Sequence, residues 1–168
     1  DRRIVAPGVT GELCTRGYSV MRGYWDEADR TAEAIDAGKW MHTGDLATMD
    51  GAGYFNIVGR IKDMVIRGGE NLYLREIEEF LYRHPKIADV QIFGIPDERY
   101  GEELCAWIKL AEGEAALADE ITGFCEGQVA HQKVPRYIRL VDEFPMTVTG
   151  KIQIFVMRDQ MIEELGLK

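Results

Sequence analysis

The chain has 168 residues, 46% of them hydrophobic, with 29 acidic against 20 basic side chains and a formal net charge of -9; it can bury a core, which excludes a disordered polymer, and its overall field repels a nucleic-acid backbone or an anionic membrane. No run approaches the ~18 apolar residues of a membrane-spanning helix, and no charged start followed by an apolar stretch marks a leader, so a soluble intracellular protein is expected. Three cysteines, Cys14, Cys105 and Cys125, lack CxxC spacing, suit a reducing compartment and read as core thiols. The opening Asp1-Arg2-Arg3 has no Met, and the natural start is expected upstream.

Residues 10 to 60 are rich in glycine and short apolar alternations. Gly11-Glu12-Leu13-Cys14-Thr15 and Tyr54-Phe55-Asn56-Ile57-Val58 read as antiparallel strands, the second following the turn-rich Asp50-Gly51-Ala52-Gly53. Asp26 is placed to cap a helix through Thr31, Ala32 and Ile35, with Gly38 ending it. Past Arg60 strands alternate with amphipathic helices, the pattern of a compact mixed domain. Met64-Val65-Ile66 and Leu72-Tyr73-Leu74 flank Arg67-Gly68-Gly69-Glu70-Asn71, a hairpin whose glycines can take positive φ. Leu74, Ile77, Phe80 and Leu81 share a helical face, and Pro85 ends that helix by His84. Val90 to Phe93 and Leu104 to Ile108 are the next strands. A second helix carries Ile121, Phe124, Cys125 and Val129, a further strand runs from Tyr137 to Val141, and a closing helix carries Met157, Met161 and Leu165.

Four segments can carry chemistry, each with a plainer alternative. Asp45, after Thr43-Gly44, can accept both hydroxyls of a ribose, or simply organise its own turn. Arg60, after Gly59, offers a rigid fork of donors to a ribose or phosphate oxygen, or pairs at the surface with Asp63. The glycine pair Gly68-Gly69 is no P-loop, since it lacks GxxxxGK[ST] and lies between strands. It can let a thin ligand pass the backbone, or be an ordinary turn. In Pro145-Met146-Thr147-Val148-Thr149-Gly150-Lys151 a loop presents one lysine, suited to neutralising charge between a carboxylate and a phosphate, or merely solvated. His42, His84 and His131 show no metal-ligand spacing, and no hydrolase elbow is present.

In this order and with these gaps, the segments resemble the adenylate-forming superfamily of acyl-CoA synthetases, luciferases and nonribosomal adenylation domains, over nearly the whole chain. Gly11 to Gly17, with Gly23-Tyr24-Trp25, looks like the family's last N-terminal-domain strands. Thr43-Gly44-Asp45 is similar to its ribose-binding aspartate and Gly59-Arg60 to its ribose-contacting arginine. Lys62 falls at its hinge, and Gly68 and Gly69 fall where glycines line the tunnel for the pantetheine arm of coenzyme A. Glu76-Ile77-Glu78 is similar to the acidic helix that follows, and Gly150-Lys151 to the catalytic lysine. Lys133 and Arg136 lie where some members contact the nucleotide of coenzyme A, although Val134 between them departs from the more basic versions. The segment from Ile66 to Glu78 looks most like medium- or long-chain fatty acyl-CoA synthetases; an aryl-CoA ligase, another adenylate-forming enzyme and a non-catalytic docking module of the same fold are the alternatives.

The resemblance implies an α+β fold in two pieces. Residues 1–61 would be the β-rich end of a larger N-terminal domain, poorly packed by themselves because short strands need neighbours. Residues 62–168 would be a small lid with a central sheet of about three strands, a two-stranded hairpin and about three helices. It further implies ATP, coenzyme A and a carboxylic acid as substrates, and Mg2+ whose ligands lie upstream, with no metal ligand in this chain. The missing N-terminal domain would be its partner, the fragment alone would be inactive, and the location would be the cytoplasm or a mitochondrial matrix.

Overall fold

The structure is a computed structural model that describes residues 3–167, and the chain divides at Lys62 into two units, Asp1–Lys62 and Asp63–Lys168. In the first, β1 (Gly11–Thr15), β2 (Met41–Met49) and β3 (Phe55–Arg60) form an antiparallel sheet in that order, with α1 (Ala28–Ala34) between β1 and β2. The β2–β3 turn is held by Asp50, whose carboxylate accepts the N–H groups of Ala52 and Tyr54. Among the described residues of this unit only Ala47 joins the buried apolar set, while Trp25, Tyr54 and Ile4 are exposed. Short strands have one face to cover, and α1, which has no buried residue of its own, covers it only in part.

Three local readings are corrected. Asp26 does not cap α1: its backbone is left-handed at φ 55, and the cap position falls to Glu27 without a side-chain bond. Thr31 supplies the local bonds instead, accepting from Tyr24 N–H and donating to the Glu27 carbonyl. Gly38 does not end the helix, because Ile35 already turns extended and bridges to Met41. Thr43-Gly44-Asp45 is a bulge inside β2 and not a free turn: Glu12 faces Leu46 while Cys14 faces His42, so extra residues of β2 bow out between them, with Gly44 at φ 74.

The second unit contains β4 (Val65–Arg67), β5 (Glu70–Leu72), α2 (Leu74–Leu81), β6 (Ile87–Asp97), β7 (Gly101–Leu110), α3 (Ala118–Cys125), β8 (Tyr137–Leu140) and α4 (Ile154–Leu165). β7 gives one edge to β6 along its length, and shares the other between β8, parallel along Cys105–Ile108, and β4, met at the single register Arg67↔Gly101. The expected three-stranded centre, hairpin and three helices are thus present, with the hairpin joined to the sheet at one point.

Alternation along β6 and β7 gives the sheet two buried faces. Val90, Ile92, Leu104, Ala106 and Ile108 meet Leu74, Ile77 and Leu81 of α2 and Ile121 and Cys125 of α3. Phe93, Ile95, Cys105 and Trp107 meet Met157 and Met161 of α4, with Phe144. Cys105 and Cys125 are core thiols as expected, and burial pushes Cys105 up to about 12. Cys14 is only partly buried.

Leu81 is 0% exposed, so Leu81→Ala should cost the second unit about 2–5 kcal/mol in denaturant unfolding. Tyr54→Ser, at 76% exposure, should stay within about 0.5 kcal/mol. Equal effects would contradict the placement of the core.

Candidate functional site

Asp45 and Arg60 stand directly opposite one another on β2 and β3, and Arg60 Nε donates to Asp45 Oδ1 at 2.9 Å. Cross-strand register, not sequence proximity to Asp63, selects this partner. The Asp45 side chain keeps 32% exposure and Arg60 keeps 64%, so both remain reachable by a polar ligand.

Behind this pair, Glu12 of β1 locks the bulge. Its Oε1 accepts the Gly44 N–H at 3.2 Å and its Oε2 takes His42 Nδ1 at 2.7 Å, while Thr43 Oγ1 donates to the Leu13 carbonyl and accepts from the Asp45 N–H. The hydrogen bond to Glu12 raises the His42 pKa above its ordinary value, with Asp36 assisting from 3.7 Å. Asp36 is itself held low, first by the Trp40 N–H. Burial, then the charge of Glu12, pushes the Cys14 thiol up. Glu12, Cys14 and His42 are the one group with metal-ligand spacing among the described residues; both Glu12 oxygens already accept hydrogen bonds and so lock the bulge, while His42 Nε2 is buried without a hydrogen-bond partner, 3.7 Å from Asp36. Sequence reading missed Glu12; its signal was an acidic residue at an inward position of a strand.

Lys62 sits exposed in a 3-10 turn, Ile61–Asp63, where one unit gives way to the other. Gly68 and Gly69 then make a two-residue hairpin turn with φ of 60 and 87, and Gly68 N–H donates to the Tyr100 carbonyl at 2.9 Å. Positive φ at both positions is what a two-residue turn between twisted strands demands. Nothing lies within 4 Å of a Cβ built on Gly69, whereas one on Gly68 would meet the Tyr100 ring at 3.3 Å.

Lys133 and Arg136 are each ion-paired, and Arg136 stays 54% exposed to solvent. Lys133 Nζ lies 2.6 Å from Glu76 Oε1, and Arg136 Nη1 lies 3.2 Å from Asp97 Oδ2. Asp97 is held below the usual carboxylate range by the Tyr100 and Arg99 N–H groups, with Arg136 adding to them. Next to these, Glu103 is fully buried against Arg67, a pair that sequence reading also missed. Its signal was Glu102-Glu103 opening an apolar strand, where alternation forces one acid inward.

Lys151 ends a tight loop. Thr147 N–H donates to the Lys151 carbonyl, Lys151 N–H donates to Thr147 Oγ1, Gly150 takes φ 78, and Met146 bridges to Ile152. The side chain is exposed and makes no ion pair among the described residues. It is therefore a mobile-stemmed charge on a rigid base. Within the second unit the glycine turn leads into α2, on one face of the sheet, and the lysine loop leads into α4, on the other.

Residues 76–151 match the AMP-binding enzyme C-terminal domain. The chain is 55% identical, over 94% of its own length and 26% of the relative's, to the mitochondrial medium-chain acyl-CoA ligase ACSF2 of Bos taurus. Among solved structures, ATP-bound MatB from Rhodopseudomonas palustris superposes with a TM-score of 0.87 at 31% identity, over 93% of this chain and 31% of MatB. The o-succinylbenzoate CoA synthetase MenE of Bacillus subtilis, in complex with the acyl-adenylate intermediate OSB-AMP, gives 0.82 at 28% identity, over 96% of this chain and 32% of MenE. The chain spans between 25% and 30% of the length of curated relatives such as these ligases.

Because His42 binds its proton more tightly folded than unfolded, it adds stability that is fully present below the unfolded value of 6.5 and is lost as pH rises through the folded one. The His42 ring should titrate above 6.5 by NMR, and Glu12→Gln should return it toward that value. The stability gap between wild type and Glu12→Gln should be larger at about pH 6 than at about pH 9. An unshifted His42 would contradict the lock.

Proposed function

Since the chain belongs to the adenylate-forming superfamily, of which it carries the AMP-binding enzyme C-terminal domain, we propose that it is the C-terminal part of an ATP-dependent acyl-CoA synthetase acting on a fatty acid. The observation that carries this reading is the exposed Lys151 loop and the Gly68-Gly69 turn held in one compact unit, each leading into a helix on a different face of the same sheet.

In the first step a carboxylate oxygen attacks the α-phosphorus of ATP, the bond to pyrophosphate breaks and an acyl-adenylate forms. Two anions must approach, so the barrier is electrostatic, and the ammonium of Lys151 supplies positive charge where negative charge develops. Asp45 accepts the ribose hydroxyls, with Arg60 holding its carboxylate in place and donating to the nucleotide. In the second step the thiol sulfur of coenzyme A attacks the acyl carbonyl carbon, AMP leaves and the thiol proton passes to solvent. The unit turns about Lys62 between the steps, withdrawing Lys151 and bringing Gly68-Gly69 to the pantetheine arm. Mg2+ would accompany ATP, and no residue of this chain is assigned to it.

Gly69 suits that passage because, among the described residues, no neighbouring side chain fills the space its own would occupy. For Lys133 and Arg136 to meet the nucleotide of coenzyme A, its phosphates would exchange with Glu76 and Asp97. The name of the bovine relative, a mitochondrial medium-chain acyl-CoA ligase, supports a fatty acyl substrate and a mitochondrial location. No helix among the described residues is long and apolar enough to cross a membrane.

The test is Lys151→Ala in the intact synthetase that contains this segment. Pyrophosphate exchange should fall about a hundredfold to a thousandfold, while thioester formation from pre-formed acyl-adenylate stays near wild type. Persistence of exchange would overturn the assignment of Lys151.

A further inference from the structure

Glu103 is 0% exposed, and it is the one acidic residue buried to this degree among those described. Its carboxylate pairs with Arg67: Nη2 donates to Oε2 at 2.9 Å, and Nε lies 2.6 Å from Oε1 as an ion-pair contact without hydrogen-bond geometry. Arg67 keeps only 10% exposure. Its guanidinium also lies over the Tyr100 ring at 5.1 Å and reaches the His131 carbonyl at 3.5 Å, and Arg136 approaches Glu103 from the open side at 3.8 Å.

A buried pair of this kind gains little over two well-packed apolar side chains, because the cost of removing both charges from water offsets their attraction. Stability therefore gives no reason for charges here, but position does. Arg67 is the residue immediately before Gly68-Gly69, and Arg67↔Gly101 is the single register at which the hairpin joins the sheet. The backbone ties Gly68 to Tyr100 as well. The Arg67–Glu103 hydrogen bond, beside that of Ile66 N–H to Glu102 Oε2, thus helps set the angle at which the glycine turn leaves the sheet, and an apolar pair, having no directional bond, would loosen that angle.

Building on the acyl-CoA synthetase reading, we infer that Glu103 is a positioning residue for thioester formation: through Arg67 it holds the Gly68-Gly69 turn in the geometry that admits the pantetheine arm. It touches neither substrate. Lys151 is outside this network, so adenylation does not depend on it.

The experiment compares wild type, Glu103→Gln and the charge-free double variant Arg67→Met with Glu103→Leu, all in the intact synthetase. Pyrophosphate exchange, thioester formation from pre-formed adenylate at saturating coenzyme A, and thermal midpoint are measured on the same preparations. Both variants should lose about a hundredfold in thioester turnover, the scale of a misplacement near 1 Å, with exchange near wild type. The double variant should melt no lower than wild type. A double variant that forms thioester at the wild-type rate overturns the inference, and so does a parallel fall of both half-reactions. A wild-type enzyme that forms adenylate but no thioester removes the synthetase reading and this inference with it, an outcome separate from the other two.

Discussion

From Ile87 opposite Leu110 to Asp97 opposite Gly101, β6 and β7 run as one antiparallel ladder, and the second unit is organised around it. Alternation along the two strands leaves apolar side chains on both faces, and α2, α3 and α4 exist where they do because those faces must be covered. Each loop of chemical interest is then a connection forced by that covering. The chain reaches α2 through the glycine hairpin and reaches α4 through the loop of Lys151. Both loops belong to the same compact unit, so a rotation of that unit carries both, and this coupling is what the proposed alternation of two reactions requires.

Polar order is concentrated at one end of the ladder. Gly101 closes it, Tyr100 receives the Gly68 N–H, and Asp97, Glu103, Arg67 and Arg136 interlock around the same corner. Along the middle of the ladder, by contrast, the buried residues are apolar. A directional network at the corner and nondirectional packing along the middle divide two tasks: the middle supplies stability, and the corner fixes the glycine turn. The first unit works differently. With almost no buried apolar set of its own, it keeps Asp45 opposite Arg60 by register, by the β2 bulge and by the bonds of Glu12.

The strands and helices of the second unit were legible because their apolar periods are strong: Leu74, Ile77 and Leu81 at helical spacing, and alternation in Val90 to Phe93, carry their own explanation. The Gly68-Gly69 turn was readable from glycine chemistry, but its second strand is Glu70–Leu72 and not Leu72-Tyr73-Leu74, since Leu74 already opens α2, and the helix of Ile121 ends at Cys125, before Val129. β2 was not readable, because its Thr-Gly step mimics a turn, and only pairing with strands on both sides reveals a bulged strand. Asp26 failed as a cap because composition cannot report φ. The pairings of Arg60 with Asp45 and of Arg67 with Glu103 span the fold, and no local pattern in the sequence announces a partner that distant.

The central claim is that one unit presents Lys151 for the first reaction and the glycine turn for the second. Gly69→Asn in the intact synthetase, a residue that tolerates the positive φ of this turn, tests it most directly, since its side chain would enter a space that no neighbouring side chain among the described residues occupies. The account predicts that acyl-adenylate still forms, by pyrophosphate exchange, while its conversion to thioester is lost. Thioester formation at the wild-type rate, or loss of adenylate formation, would contradict it.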